Sequence, residues 1–293
     1  MTPATYFELT AGKYCRQQQE LPTFPHYQLR AGQPSENLYG HKEENSKHVL
    51  NRWPEMNLGR ASGLSKRTEV VTSSEGEVFD VELEVKILSE NRRLADENKN
   101  RLHSKGVYAI DVMGSVGSGK TSLIKAMVSK LKRNHRIAVI EGDVTTTIDS
   151  DLIASEGVPT VQVNTGKECH LDANLIRKAL DALSLADLDL IFIENVGNLI
   201  CPAEFPLGSD KRLVVISVTE GPYMVVKHPM MFLDAQVVAI NKTDLAAPMG
   251  VDPKKLSADV ARLNPKTVTI HTSCRTGSGI ENVIDALGLT KLG

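Results

Sequence analysis

The chain has 293 residues, 41% of them apolar and 24% charged, which is enough apolar material for two domains or for one large α/β domain with an appendage. Its 34 basic and 36 acidic side chains leave a net charge of -2, arguing against a generally basic nucleic-acid surface and against a polybasic membrane anchor. No stretch approaches the ~18 consecutive apolar residues of a membrane span, the amino terminus lacks the charged-then-apolar order of a secretion signal, and four dispersed cysteines cannot form a disulfide scaffold; the sequence reads as cytoplasmic, with no nucleic-acid partner and no membrane insertion.

Residues 1–78 show little periodicity and are punctuated by Pro and Gly, so they read as an extended or partly ordered amino-terminal arm. The sole tryptophan, Trp53, serves either as a docking anchor or as an aromatic packed back on the main domain. Residues 79–293 form the second region. It opens on a polar helix with Leu83, Ile87, Leu94 and Leu102 near one side and Gly106 as its stop. The apolar runs VYAIDV, IAVIE, LDLIFIE, RLVVISV, AQVVAI and TVTIH follow, separated by helical segments such as SLIKAMVSKLKRN and DANLIRKALDAL. Runs of that kind, spaced by helices, predict βα units around a buried, mainly parallel sheet.

VYAIDV leads directly into Gly114, Ser115, Val116, Gly117, Ser118, Gly119, Lys120 and Thr121, a GxxxxGK[ST] phosphate loop between a strand and a helix, with Ser122 next in line. Small residues let backbone N–H groups close around phosphate oxygens, Lys120 supplies a mobile positive charge, and the Thr121 hydroxyl suits Mg²⁺.

After AQVVAI come Asn241, Lys242, Thr243 and Asp244. Guanine presents N1–H and an amino group on one edge, and the Asp244 carboxylate can accept both, whereas adenine offers an acceptor at N1. The pattern therefore predicts GTP rather than ATP. Asn241 bridges to the loop wall, Lys242 covers the base plane, and Ser273, Cys274 and Arg275 after TVTIH offer backbone donors to guanine O6. Asp143, just past IAVIE, is the leading candidate for positioning magnesium or the attacking water. Glu194, at the end of LDLIFIE, is either a magnesium-associated switch residue or a strand-end cap, and Gly197 admits the γ-phosphate close to the backbone.

Cys169 and His170 are adjacent, and Cys201 stands four residues beyond Gly197. Two thiols and an imidazole suit Ni²⁺ or Zn²⁺ far better than Mg²⁺, yet dispersed cysteines also serve as small buried apolar groups; both readings stand on the residues alone. Cys15 and Cys274 have no close Cys or His neighbour in sequence and default to structural thiols.

GSVGSGKT, EGDVTTTIDSD, VQVNTGKECHLDA, FIENVGNLICP, SVTEG and NKTD occur together and in order. In these the chain resembles the hydrogenase nickel-incorporation GTPase family, accessory proteins that help load nickel into NiFe-hydrogenase. The resemblance implies a three-layer phosphate-loop NTPase fold of the signal-recognition and partition-ATPase superclass. The residues themselves predict slow Mg²⁺-dependent GTP hydrolysis with Lys120 and Asp143 in catalytic roles, and Thr121, Asp143 and Glu194 around magnesium. The resemblance assigns Cys169, His170 and Cys201 to Ni²⁺ or Zn²⁺. It also implies a GTP-promoted homodimer, a small zinc-containing nickel chaperone as partner, and the hydrogenase large-subunit precursor as direct or indirect recipient. Two alternatives remain in view: a metal carrier in which GTP is mainly an assembly ligand, and a urease-type nickel-loading GTPase, whose contiguous Cys-Pro-His is missing here. The amino-terminal CxxCGC motif and histidine-rich tract of some family members are missing too.

Overall fold

The computed structural model describes residues 81–143, 152–166 and 170–292. The expected arm over 1–78 with Trp53 lies outside the described residues, as do Cys169 and the stretch carrying Thr145 to Asp149; of Asp143 only the backbone is described.

Helix α1 (Val81–Ser104) comes first, and Gly106 turns the chain after it with φ 70°. Leu94 and Leu102 are buried as expected, but Ile87 is 50% exposed. The buried stripe is carried instead by Asn91, Leu94, Ala95, Asn98 and Leu102. The two asparagines replace apolar contact with directed bonds. Asn91 takes the Ala173 N–H at 2.8 Å and gives a hydrogen bond to the Pro206 carbonyl at 2.9 Å, while Asn98 donates to the carbonyls of Ala173 at 2.8 Å and Leu207 at 3.3 Å.

Seven strands follow: β1 (Tyr108–Met113), β2 (Ile137–Asp143), β3 (Thr160–Asn164), β4 (Leu190–Glu194), β5 (Lys211–Ser217), β6 (Val237–Asn241) and β7 (Val268–His271). They form one sheet in the order β3-β2-β4-β1-β5-β6-β7, and every pairing is parallel. The apolar runs of β4 and β6 are buried throughout, as strands covered on both faces must be. The strand that sequence reading did not single out is β3. It is an edge strand in which Val163 alone is buried, so Gln162 and Asn164 interrupt the apolar signal that marks its neighbours.

Alternate residues of each strand feed opposite layers. Ile110, Val112, Leu213 and Val215 pack against α2 (Lys120–Leu131) and α5 (Ile280–Leu287) through Leu123, Met127, Val283 and Leu287. On the other face, Ile140 and Ile191 meet Leu102 of α1 and Ile176 and Leu180 of α3 (Ala173–Asp181). Further along that face, Val214, Ile216 and Val238 meet Leu256 and Val260 of α4 (Pro253–Leu263). This is the three-layer α/β architecture of phosphate-loop NTPases. Because all strands run one way, their carboxyl ends open on one rim, where open α/β sheets bind ligands.

Candidate functional site

The rim holds a cleft of about 1130 Å³, lined among others by Lys120, Thr121, Glu194, Asn241, Asp244 and Arg275. Its floor is the loop between β1 and α2. Gly114 must lack a side chain, because a Cβ there would stand 2.1 Å from the Val215 carbonyl oxygen. Gly119 has φ 97°, and its Cβ would meet Asn241 Nδ2 at 2.3 Å. Lys120 opens α2, is buried, donates to the Ser115 carbonyl at 3.2 Å and lies 4.0 Å from Glu194 Oε1. Among the described residues the loop hydroxyls Ser115 Oγ and Ser118 Oγ are buried with no hydrogen-bond partner, as polar atoms that receive a ligand would be.

Thr121 Oγ1 donates to Glu194 Oε1 at 2.8 Å. A hydroxyl and a carboxylate held together beside the phosphate loop form an oxygen donor set suited to a hard divalent cation. The Glu194 carboxylate thus engages the residue expected to ligate magnesium. One carboxylate escaped the sequence reading. Glu141, opposite Glu194 in the β2–β4 register, is buried and also lines the cleft. It closes the run IAVIE as Glu194 closes LDLIFIE, and the sequence reading passed over it for Asp143 two residues on.

At the other end of the cleft, Asn241 is buried and reaches across to the phosphate loop, its Nδ2 donating to the Ser118 carbonyl at 3.0 Å. Its Oδ1 accepts from Thr272 Oγ1 at 3.2 Å and from the Cys274 N–H at 3.4 Å. Lys242 takes a left-handed backbone, φ 58°, and its Nζ donates to the Gly117 carbonyl at 2.6 Å. Asp244 accepts from Ser273 Oγ at 2.5 Å and from Arg275 Nε at 2.8 Å. These two bonds, the Ser273 one foremost, hold its carboxyl below the usual carboxylate range, so it stays an acceptor. The sequence reading gave Ser273 and Arg275 backbone roles only; here their side chains orient the acidic group.

Between these ends runs the segment after β4. Gly197 lies on the phosphate loop, where a Cβ would fall 2.5 Å from Val116 Cγ2 and 3.0 Å from the Val116 nitrogen. Asn198 pairs with Gly114 in an isolated antiparallel bridge. Asn195 is buried, its Oδ1 accepting from the Leu171 N–H at 3.1 Å and its Nδ2 donating to Asp111 Oδ1 at 3.2 Å. Asp111 is fully buried, with Arg212 Nε 3.6 Å from its other oxygen; burial pushes its carboxyl up to about 6 against the pull of Arg212 and Asn195.

The same segment leads to the thiol and imidazole residues. Cys201 opens a turn over Cys201–Ala203, and its Sγ accepts from Asn198 Nδ2 at 3.5 Å. The His170 ring stacks on Phe205, with centroids 3.9 Å apart, so the loop bearing His170 meets the loop after Cys201. Among the described residues no three His, Cys, Asp or Glu side chains gather as a metal-holding group, and Cys169, the third expected ligand, lies outside them. Nor, among the described residues, is any helix long and apolar enough to cross a membrane.

Comparison with known proteins meets this geometry. The family model for the CobW/HypB/UreG nucleotide-binding domain matches residues 108–271, from the start of β1 to the end of β7. The probable hydrogenase maturation factor HypB of Methanocaldococcus jannaschii is 48% identical over 199 residues, 68% of this chain and 90% of that protein. The chain belongs to the HypB family of hydrogenase maturation factors. Solved HypB structures agree in fold. The HypB of Archaeoglobus fulgidus has 42% identity and a TM-score of 0.65, covering 69% of this chain and 98% of its own. The Helicobacter pylori HypB, solved in complex with nickel, has 34% identity and a TM-score of 0.65, covering 69% of this chain and 95% of its own. The chain thus carries the nucleotide-binding domain of a phosphate-loop GTPase family.

Proposed function

We propose that this chain hydrolyses GTP to GDP and phosphate with Mg²⁺ and uses that reaction to govern the loading of nickel during NiFe-hydrogenase maturation. The observation that carries the reading is one continuous cleft, with the Lys120, Thr121 and Glu194 group at its phosphate end and Asp244, oriented by Ser273 and Arg275, at its base end. An ionised carboxylate at the base end accepts both donors of guanine, and a buried ammonium at the other end answers phosphate charge.

In the reaction a water oxygen attacks the γ-phosphorus while the bond to the β–γ bridging oxygen breaks; the electron pair leaves on GDP, and the water's proton passes to phosphate and solvent. Lys120 and the backbone N–H groups of Gly114 to Gly119 stabilise the charge spread over the transferring group, and Asp143 orients the water or the cation. Bound Mg²⁺, held through Thr121 and Glu194, supplies neutralisation of the phosphate oxygens. Gly197 brings backbone to the γ-phosphate.

Nickel is cargo in this reading. Cys169, His170 and Cys201 hold Ni²⁺, or Zn²⁺ in its place; the meeting of the His170 and Cys201 loops supports this, as does nickel in the Helicobacter pylori HypB. Three ligands leave the shell open, so water or a second copy of the chain completes it, which accounts for a GTP-promoted homodimer. A small zinc-containing nickel chaperone and the hydrogenase large-subunit precursor are the partners, and the cytoplasm is the compartment.

The test is phosphate release from GTP and ATP with and without Ni²⁺, alongside anaerobic Ni²⁺ titration of wild type and of the single substitutions Cys169→Ser, His170→Ala and Cys201→Ser in GDP and GTP-analogue states, with molecular mass recorded. GTP-selective turnover and loss of metal binding in all three variants are expected. Metal binding that ignores the three substitutions overturns the site; delivery that proceeds equally with a non-hydrolysable analogue makes the chain a carrier rather than a turnover-driven switch.

A further inference from the structure

The two described residues read as metal ligands meet the phosphate loop differently. On the His170 side, the next residue, Leu171, is buried and gives its N–H to Asn195, which is tied to Asp111 in the central strand β1. Helix α3 begins two residues later, and α1 grips its first residue, Ala173, through Asn91 and Asn98. Ala173 is thus fixed to α1, whereas Asn195 lies in the segment after β4 that continues to Cys201.

Cys201 is tied to the phosphate loop as well, while α1 holds Pro206 and Leu207 a few residues past it. The backbone of Asn198 bridges to Gly114, the first residue of that loop, and Gly197 packs on Val116 within it. The Asn198 side chain then spans the next turn: Oδ1 accepts from the Ile200 N–H at 2.8 Å, and Nδ2 donates to Cys201 Sγ at 3.5 Å. A change in how the loop closes on phosphate reaches the sulfur through one residue.

We propose that Asn198 is a positioning residue that registers Cys201 to the phosphate loop, making Cys201 a ligand that follows nucleotide state. The inference rests on the reading of His170 and Cys201 as metal ligands and adds the residue that couples them to the nucleotide. Partners in the shell behind a metal ligand change metal affinity by roughly 10–100-fold when removed, so one misplaced donor is enough to erase a state-dependent difference of that size.

The experiment uses the full chain and titrates Ni²⁺ anaerobically in GDP and in a non-hydrolysable GTP analogue, following sulfur-to-nickel charge-transfer absorption, for wild type, Asn198→Ser, Asn198→Ala and Cys201→Ser. Serine keeps an acceptor for the Ile200 N–H but cannot reach the sulfur; alanine removes both bonds and serves as the second variant. In wild type the two dissociation constants should differ by roughly 10-fold or more, and in either Asn198 variant by less than about 2-fold with the charge-transfer band still present. If both Asn198 variants keep the wild-type ratio while Cys201→Ser abolishes the band, Asn198 is not the coupling residue although the metal site stands. If Cys201→Ser leaves band and affinity intact, the metal-ligand reading itself fails and this inference with it.

Discussion

Asn241, at the end of β6, donates its side-chain N–H to the Ser118 carbonyl of the phosphate loop at 3.0 Å, so the base end of the cleft is joined to the phosphate end by one buried amide. Because the same side chain also satisfies Thr272 and the Cys274 N–H, Asn241→Ala should cost about 1–3 kcal/mol of folding stability for the bonds left unmade. Binding should weaken for GTP and ATP together, leaving their ratio unchanged. Urea denaturation and calorimetric titration with both nucleotides test this, and a selective loss of GTP would contradict it.

Asp244 should behave in the opposite way. Asp244→Asn replaces an acceptor with a group that is half donor, so the GTP-to-ATP affinity ratio should fall by roughly 10–100-fold, the cost of charge-assisted bonds to guanine. Xanthine nucleotides, which carry an oxygen where guanine has its amino group, should gain affinity in the variant. An unaltered ratio counts against the proposed contact.

Lys120→Ala removes the buried ammonium that bridges the Ser115 carbonyl and the neighbourhood of Glu194. Turnover should drop by about 100-fold or more, as when a preorganised charge facing the transition state is deleted. Single-turnover phosphate release measures it, and wild-type rates from the purified variant would reject the assignment.

Asp111 makes stability depend on pH. Burial raises its folded value to about 6 from an ordinary 3.8, so between those values the folded chain holds a proton that the unfolded chain has lost. Its contribution is therefore most favourable below about pH 4 and is lost as pH rises through about 6. Asp111→Asn, which keeps an acceptor for Asn195 and carries no charge, should gain on wild type by an amount on the order of 3 kcal/mol between pH 4 and pH 7. Parallel unfolding profiles for the two proteins across that range would contradict this account.

The phosphate loop and the Asn-Lys-Thr-Asp turn were legible in the sequence because their chemistry fixes both residue type and spacing within a few positions. The central strands were legible for a related reason, since burial on both faces leaves only apolar side chains. The edge strand β3 buries Val163 alone and lost that signature. The inner face of α1 was legible only at Leu94 and Leu102, because Asn91 and Asn98 look like solvent-facing residues until their partners, 75 to 115 positions away, are in place. Asn195 and Asn198 pose the same difficulty. Between a strand and a turn they read as loop polarity, and Asn195 meets Asp111 from 84 residues away.

Helix α1 touches no residue of the phosphate loop through the bonds described above, yet Asn91 and Asn98 hold Ala173, just past His170, together with Pro206 and Leu207, just past Cys201. One face of α1 therefore gathers the segments that follow His170 and Cys201, so a single helix sets the spacing between the imidazole loop and the thiol loop.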